Sequence, residues 1–300
     1  GGMGVVYRVA DPSLPRSDAL KILDGALSLD SMFRKRFERE ADTAAKLDHP
    51  NIVAVYARGQ TEGGQLWIAM QYVPGTDAGE VLHTGTMTPE RAVRIINEVA
   101  RALDYAHRRG ILHRDIKPAN FLLAPDEHDH DEERVFLADF GIARALDEAV
   151  HLTTDGNVMA SVAYASPETL SGAGGDHRAD IYSLGCSLYT LLTGKSPYAG
   201  LPGVAAIATA HLQAPPPRPT DVVLGLPPAI NAVIAKAMAK NPDHRYQTAR
   251  ELAEAAAEAL NDATTALPRP TVTQQWTSAP LRPPGATSGP NGPAQTSGPQ

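Results

Sequence analysis

Cysteine occurs once in the 300 residues, at Cys186. A lone thiol excludes an internal disulfide framework and fits a reducing compartment. Cys186 falls in the apolar run 181–192, so it reads as a buried structural thiol. No run of 18 apolar residues is present, and no membrane-spanning helix is expected within the sequence. Basic residues are outnumbered: 27 Lys and Arg against 34 Asp and Glu give a net charge of −7. That balance argues against a general nucleic-acid-binding surface. The chain opens at Gly1 without Met or a signal peptide, and reads as a fragment. Its last stretch is short of both charge and apolar bulk. Residues 264–300 hold eight prolines, four glycines, ten Ser or Thr and two charges, a composition that cannot bury a core and predicts a disordered linker. What remains is 43% apolar over the whole chain, enough for a sizeable core in one large or two small domains.

The densest chemistry lies in His113-Arg114-Asp115-Ile116-Lys117-Pro118-Ala119-Asn120. A carboxylate, a cation and an amide fall within six positions of a proline-stiffened loop, which can aim all three at one point. Phosphoryl transfer needs that convergence. Asp115 would accept a hydrogen bond from an attacking hydroxyl, Lys117 would hold the moving phosphoryl oxygens, and Asn120 would ligate magnesium. Nineteen residues later, Asp139-Phe140-Gly141 follows the apolar run Val135-Phe136-Leu137-Ala138 and offers a second magnesium carboxylate at a strand end.

Upstream, Asp18-Ala19-Leu20-Lys21-Ile22-Leu23 reads as a strand with Ala19, Lys21 and Leu23 on one face. A lysine on a buried face needs an anion. From Ser31, a plausible N-cap, to Leu47, the residues Phe33, Phe37, Glu40, Ala44 and Leu47 form one helical stripe. Glu40 in the middle of that apolar stripe is costly unless paired, so a Lys21–Glu40 ion pair is expected. Residues 51–56 and 66–70 read as strands around Glu62-Gly63-Gly64. Thr88 and Pro89 start a helix that runs to Arg109 and stops at Gly110. Further helices are expected over 180–192, 227–240 and 248–260, the last with a Thr248…Glu251 capping box. The acidic and histidine-rich stretch 126–133 could bind a metal or form a solvated loop; its consecutive spacing favours the loop.

These motifs, together with Gly1-Gly2-Met3-Gly4-Val5-Val6-Tyr7 at the start and Ala165-Ser166-Pro167-Glu168 downstream, resemble the signature of Ser/Thr protein kinases of the actinobacterial Pkn type. Lys117 agrees with Ser/Thr rather than Tyr specificity. The likeness covers residues 1–262 and is densest over 103–194. It implies an α+β, two-lobed fold: a small β-rich lobe with one main helix over 1–71, a mostly α-helical lobe over 72–262, then the linker 263–300.

The resemblance also assigns roles. Gly1, Gly2, Met3, Gly4 and Val6 would form the second half of a phosphate-cradling loop whose first glycine and preceding strand are absent. Ala19, Lys21, Glu40, Met70, Gln71, Val73 and Leu122 would surround ATP, with Met70 as gatekeeper, adenine bonded to backbone at Gln71 and Val73, and Leu122 beneath it. The family usually carries Glu where Gln71 stands. Asp115 and Lys117 would be catalytic, and Asn120 and Asp139 would hold Mg2+ or Mn2+. His113, Phe140 and Gly141 belong to the same motifs. Ser161 would bond Asp115 and Lys117, Asp180 would bond the catalytic-loop backbone, and Glu168 would pair with Arg245. Thr153 and Thr154 would be phosphorylated, with Arg114 receiving the phosphate. The implied partners are ATP, protein substrates with Ser or Thr, and a second copy acting in trans as a transient homodimer, with no nucleic acid. The implied setting is the cytoplasmic kinase domain of a single-pass membrane protein whose span lies outside this chain. A catalytically silent pseudokinase is the rival reading, opposed by the presence of Lys21, Glu40, Asp115, Lys117, Asn120 and Asp139 together.

Overall fold

The computed structural model describes residues 4–125, 133–140 and 161–266, with the backbone alone for Ala26 and 262–266. A four-stranded antiparallel sheet opens the chain: β1 (Gly4–Ala10), β2 (Ser17–Leu23), β3 (Val55–Gln60) and β4 (Leu66–Gln71), in the order β1-β2-β4-β3. Period-2 alternation puts Lys21 and Leu23 of β2 on the inner face with Leu66, Ile68 and Met70 of β4. Gly4 must be glycine, because at φ +155° a Cβ would lie 2.2 Å from the Ile22 carbonyl oxygen.

Against the inner face pack α1 (Gly25–Leu29) and α2 (Ser31–Ala44). Phe33, Phe37, Ala41 and Ala44 form the buried stripe of α2. The N-cap is Asp30 rather than Ser31: Asp30 keeps an extended backbone and its carboxylate accepts from the Met32 N–H. The expected strand over 51–56 also shifts. Val55 starts the strand, while Asn51, Ile52 and Val53 are taken by a later strand, with Val53 N–H donating to the Leu137 carbonyl and Leu137 N–H to that of Asn51.

The rest of the unit is mostly helical. A short sheet, β5 (Thr76–Asp77), β6 (Phe121–Pro125) and β7 (Glu133–Leu137), lies beside α3 (Ala78–Thr84) and α4 (Pro89–His107). Thr88 caps α4 through the Arg91 N–H, and Gly110 adopts φ +72° just beyond the helix. Then follow α5 (Pro167–Leu170), α6 (Arg178–Thr193), α7 (Gly203–Gln213), α8 (Ala229–Ala237) and α9 (Ala249–Ala266). Helix α6 is buried over thirteen of its sixteen residues, so it is the axis on which this half is built. Its Ser and Thr hydroxyls are satisfied inside the helix, as in Ser187 to Ser183 and Thr190 to Cys186. Gly185 lets α8 approach, since a Cβ there would sit 2.6 Å from that of Ala237. Burial pushes the Cys186 thiol pKa up, which makes it an inert core group as expected. Asp104 of α4 accepts from the first N–H groups of α9, at Ala249 and Arg250, and so caps that helix from outside.

Candidate active site

Helix α4 delivers the chain to residues 111–120, and α6 holds that segment from below. Asp180, at the start of α6 and 2% exposed, accepts from His113 N–H at 2.8 Å on one oxygen and from Arg114 N–H at 2.7 Å on the other. His107 Nε2 lies 2.8 Å from the first of these oxygens. Burial alone would raise the Asp180 pKa; the hydrogen bond and charge of His107, with the His113 contacts, outweigh it and hold the group ionised. The anchor has a conformational consequence. Arg114 sits at φ +68° and Asp139 at φ +63°, two of only three non-glycine residues with positive φ among those described. Both flank the same site, where a carboxylate or loop must be aimed against backbone preference.

The His113 ring is buried, and burial lowers its pKa, so it is neutral near pH 7. Its Nε2 bonds the Ala138 carbonyl at 2.9 Å while Nδ1 accepts from Asp115 N–H at 3.2 Å. The neutral ring therefore carries its proton on Nε2. Its face meets Phe140 at 4.6 Å between centroids. One imidazole thus ties the strand end before Asp139 to the loop that carries Asp115.

Around Asp115 the polar groups converge. Lys117 Nζ is 2.7 Å from Asp115 Oδ2, and Asn120 Nδ2 donates to the Asp115 carbonyl at 2.6 Å and to Oδ2 at 3.1 Å. Ala138 N–H donates to the Asn120 carbonyl, which fixes Asn120 next to the Asp139 segment. Lys21 reaches across from β2 and places Nζ 2.7 Å from Asp139 Oδ2. Burial would raise the Asp139 pKa, but the Lys21 ammonium overrides it and the carboxyl stays below its usual range.

Two expected contacts are absent among the described residues. Lys21 does not pair with Glu40; Asp139 has taken the ammonium, and Glu40 instead meets Arg39 at 3.3 Å. Ser161 makes no side-chain bond to Asp115 or Lys117, which meet each other instead. The Glu168–Arg245 pair is formed, bidentate at 2.7 and 2.8 Å, with the Arg245 side chain fully enclosed. The arginine's remaining donors go to the carbonyls of Ala239, Arg178 and Lys240.

Ala19, Val73 and Leu122 lie half-buried together against the core that contains Met70 and Ala138. Gln71 uses its backbone N–H on the Ala54 carbonyl and its side-chain oxygen on the Ala54 N–H. Val6 is exposed on β1. Gly1, Gly2, Met3, Gly141, Thr153 and Thr154 lie outside the described residues, as does most of the acidic stretch 126–133. Glu133 itself is held between Arg91 and Arg94. Sequence reasoning missed His107. A histidine in the last turn of a strongly amphipathic helix that leads into residues 111–120 is the available signal for it.

The protein kinase domain family matches residues 1–257. The chain is 58% identical over 261 residues to the Mycobacterium tuberculosis serine/threonine-protein kinase PknJ, covering 87% of this chain and 44% of that protein. It is 47% identical over 268 residues to PknF of the same species, covering 88% of this chain and 55% of PknF. It thus spans about half the length of the curated relatives it matches. The crystal structure of the M. tuberculosis PknI kinase domain is similar at TM-score 0.68 and 37% identity, covering 86% of this chain and 92% of that one.

Proposed function

The chain belongs to the protein kinase family, and from that premise we propose that it transfers the γ-phosphoryl group of ATP to Ser and Thr hydroxyls of proteins. The observation that carries this reading is the hydrogen-bonded group of Asp115, Lys117 and Asn120, facing the Lys21–Asp139 pair. The lobes divide at 71/72; helix α9 runs to Ala266, past the expected linker start at 263.

In this reading Asp115 accepts the hydrogen bond of the incoming hydroxyl and orients its oxygen for in-line attack. Lys117, now on Asp115, offers its ammonium to the phosphoryl oxygens as charge moves onto them. The Ala19, Met70, Val73 and Leu122 surfaces take the adenine, and backbone at Gln71 and Val73 supplies its polar contacts. Lys21 and the Gly1–Gly4 region attend the phosphates. Protein kinases use ATP with a divalent metal. Asn120 and Asp139 fit that need: both offer hard oxygen donors, and the Asn120 amide nitrogen is already spent on Asp115, which leaves its oxygen for a cation. When bound, Mg2+, or Mn2+ in its place, supplies neutralisation of phosphate charge. Of the two Asp139 oxygens, Lys21 engages Oδ2 alone; were it to leave for the phosphates, Glu40 is the carboxylate it would take as partner.

The substrates are proteins, including a second copy of the chain in a transient homodimer, phosphorylated at Thr153 and Thr154. The domain would face the cytoplasm in a membrane protein; no helix among the described residues is long and apolar enough to cross a membrane. Incubation of the full-length protein with labelled ATP tests the reading. Wild type should label itself and an added protein, and Asp115→Asn should lose transfer by about 100-fold or more while still binding Mg-ATP. Equal labelling by the two would overturn it, and no labelling by wild type with intact nucleotide binding would favour the pseudokinase.

A further inference from the structure

A second buried polar cluster lies in the helical half, outside the reaction site. Lys240, just after α8, is half-buried and has no carboxylate partner within ion-pair distance among the described residues. Its ammonium donates to the His211 carbonyl at 2.7 Å, to the Tyr198 hydroxyl at 3.2 Å, and more weakly to the Tyr182 hydroxyl and the Ala210 carbonyl at 3.4 Å each. The carbonyls of Ala210 and His211 belong to the last turn of α7; that of Ala210 already accepts from the Ala214 N–H at 2.9 Å, whereas that of His211 has only Pro215 four residues on, which has no N–H to give. A cation there also meets the negative end of the helix dipole. The two tyrosines extend the grip. Tyr182 Oη, on α6, bonds His211 Nδ1 at 2.9 Å, and Tyr198 Oη lies 3.2 and 3.1 Å from the carbonyls of Ala214 and Pro215, just past α7.

Three features mark this cluster as costly. Tyr198 is the third non-glycine residue with positive φ among those described, at +59°, an unfavourable place for a bulky side chain. His211 is fully buried, yet among the described residues its Nε2 has no well-formed hydrogen bond, only the Ala163 backbone nearby. The Lys240 ammonium itself is desolvated without a counter-ion. Helix stability alone does not require such an arrangement, since an apolar side chain would fill the space without the desolvation cost.

The cluster is joined to the anchor of the 161–168 segment. The Lys240 carbonyl accepts from Arg245 Nη2 at 3.1 Å, and Arg245 is the partner of Glu168. The short stretch from Ala239 to Arg245 therefore grips α7 with one cation and Glu168 with another. From α6, Ser183 Oγ donates to the Tyr164 carbonyl at 2.7 Å, and α5 packs on α7. The Ala163 backbone lies close enough to His211 to pull its pKa upward, although burial and the Lys240 charge prevail and bring it to about 4.

We propose that Lys240 is a positioning residue for protein-substrate binding, holding the end of α7 in register with the 161–168 segment. The proposal rests on the kinase reading, in which that segment faces the protein substrate. Its action is mechanical: one ammonium closes α7, and the Arg245 loop carries that position to Glu168.

Lys240→Met in the full chain tests it by two routes. Amide hydrogen exchange is expected to quicken about tenfold in residues 161–170 and 203–214 and to stay unchanged over 4–71. With dephosphorylated casein as substrate, KM for casein should rise about tenfold while KM for ATP and kcat stay within about twofold. Exchange unchanged in 161–170, or faster throughout the chain, would overturn the proposal, as would equal rises of both KM values. The exchange arm needs no turnover, so an inactive wild type would refute the kinase reading, and the substrate role with it, while exchange would still read whether Lys240 holds the 161–170 segment.

The pH profile gives a third check. Burial, chiefly, lowers the Lys240 pKa to about 8. Facing it, burial pushes Tyr182, Tyr198 and Cys186 up and His211 down, away from the interval between pH 7 and 9 in which Lys240 titrates. The wild-type KM for casein should climb over that interval and the Lys240→Met value should not; parallel profiles would overturn the proposal.

Discussion

Lys21 Nζ and Asp139 Oδ2 form a 2.7 Å ion pair between the small sheet and the segment that follows β7. In the proposed reaction these two groups serve different partners, the lysine the phosphates and the carboxylate the metal. Paired with each other, they close the space between them. Glu40, which the sequence marks as the natural partner of Lys21, meanwhile rests on the exposed Arg39. In the described arrangement Lys21 therefore holds Asp139 and not Glu40, the partner its sequence position suggests.

That arrangement sets an order of stabilities. Asp139→Asn removes the charge opposite a buried lysine and should cost about 1–2 kcal/mol, less than a fully enclosed pair because the Asp139 side chain is 30% exposed. Glu40→Gln breaks only the contact with Arg39, whose side chain is 62% exposed, and should cost about 0.5 kcal/mol or less. Because the folded pKa of Asp139 is depressed, its contribution is complete above the ordinary value of 3.8 and fades as pH falls below that. Urea midpoints of both variants at pH 7 check the ranking. A larger loss for Glu40→Gln would show that the Lys21–Glu40 pair dominates in solution.

The anchor of the 161–168 segment makes a second prediction. Arg245→Met leaves Glu168 without its bidentate partner and strips three carbonyls of their donor, at a cost of about 3–5 kcal/mol. Glu168→Gln keeps an acceptor for the guanidinium and leaves those three bonds intact, so it should cost only about 1–2 kcal/mol. Thermal midpoints should fall in the same order, by roughly 6 °C or more for Arg245→Met. Equal midpoints would mean that the carbonyl bonds contribute nothing.

Much of this was legible in the sequence, for reasons that differ by residue. Asp115, Lys117 and Asn120 lie within six positions, and a proline-stiffened loop brings such neighbours together without help from distant packing. The Glu168–Arg245 pair was reachable only through family resemblance, since nothing local links residues 77 apart. The Lys21–Glu40 pair was a sound inference from two polar residues on apolar faces, but periodicity gives a face and not a partner. It could not weigh Asp139, which arrives from 118 residues away. Lys240 was invisible because its partners are backbone carbonyls and tyrosine hydroxyls brought together by tertiary packing, and for His107 the sequence offers a position in the last turn of α4 but not the Asp180 carboxylate it meets.

Phosphorylation at Thr153 and Thr154, both outside the described residues, should raise activity. Each phosphate adds about −1.5 to −2 charge at neutral pH, and Arg114, beside Asp115, is the cation proposed to receive it. Asp155 already places one negative charge next to them. The double change Thr153→Ala, Thr154→Ala should therefore slow phosphorylation of an added protein without abolishing it. An unaltered rate would refute activation by these threonines.

The Asp180 anchor carries the sharpest kinetic prediction. Its two oxygens accept from consecutive backbone N–H groups, His113 and Arg114, and the second of these holds Arg114 at φ +68°. Asp180→Asn keeps the shape but supplies one acceptor oxygen and a donor amide, so one of the two N–H groups faces another donor. Arg114 can then relax from its strained conformation, and Asp115, next in the chain, loses its aim. The expected outcome is a fall in kcat of about 10- to 100-fold with KM for ATP nearly unchanged, because the surfaces proposed to take the nucleotide at Ala19, Met70 and Leu122 are untouched. His107→Phe should have a smaller effect in the same direction: it removes the third bond to the carboxylate but leaves both backbone N–H groups satisfied. Steady-state kinetics of the two variants check the order. A His107→Phe loss as large as that of Asp180→Asn would show that the carboxylate acts through the histidine, and the backbone-anchor account would fall.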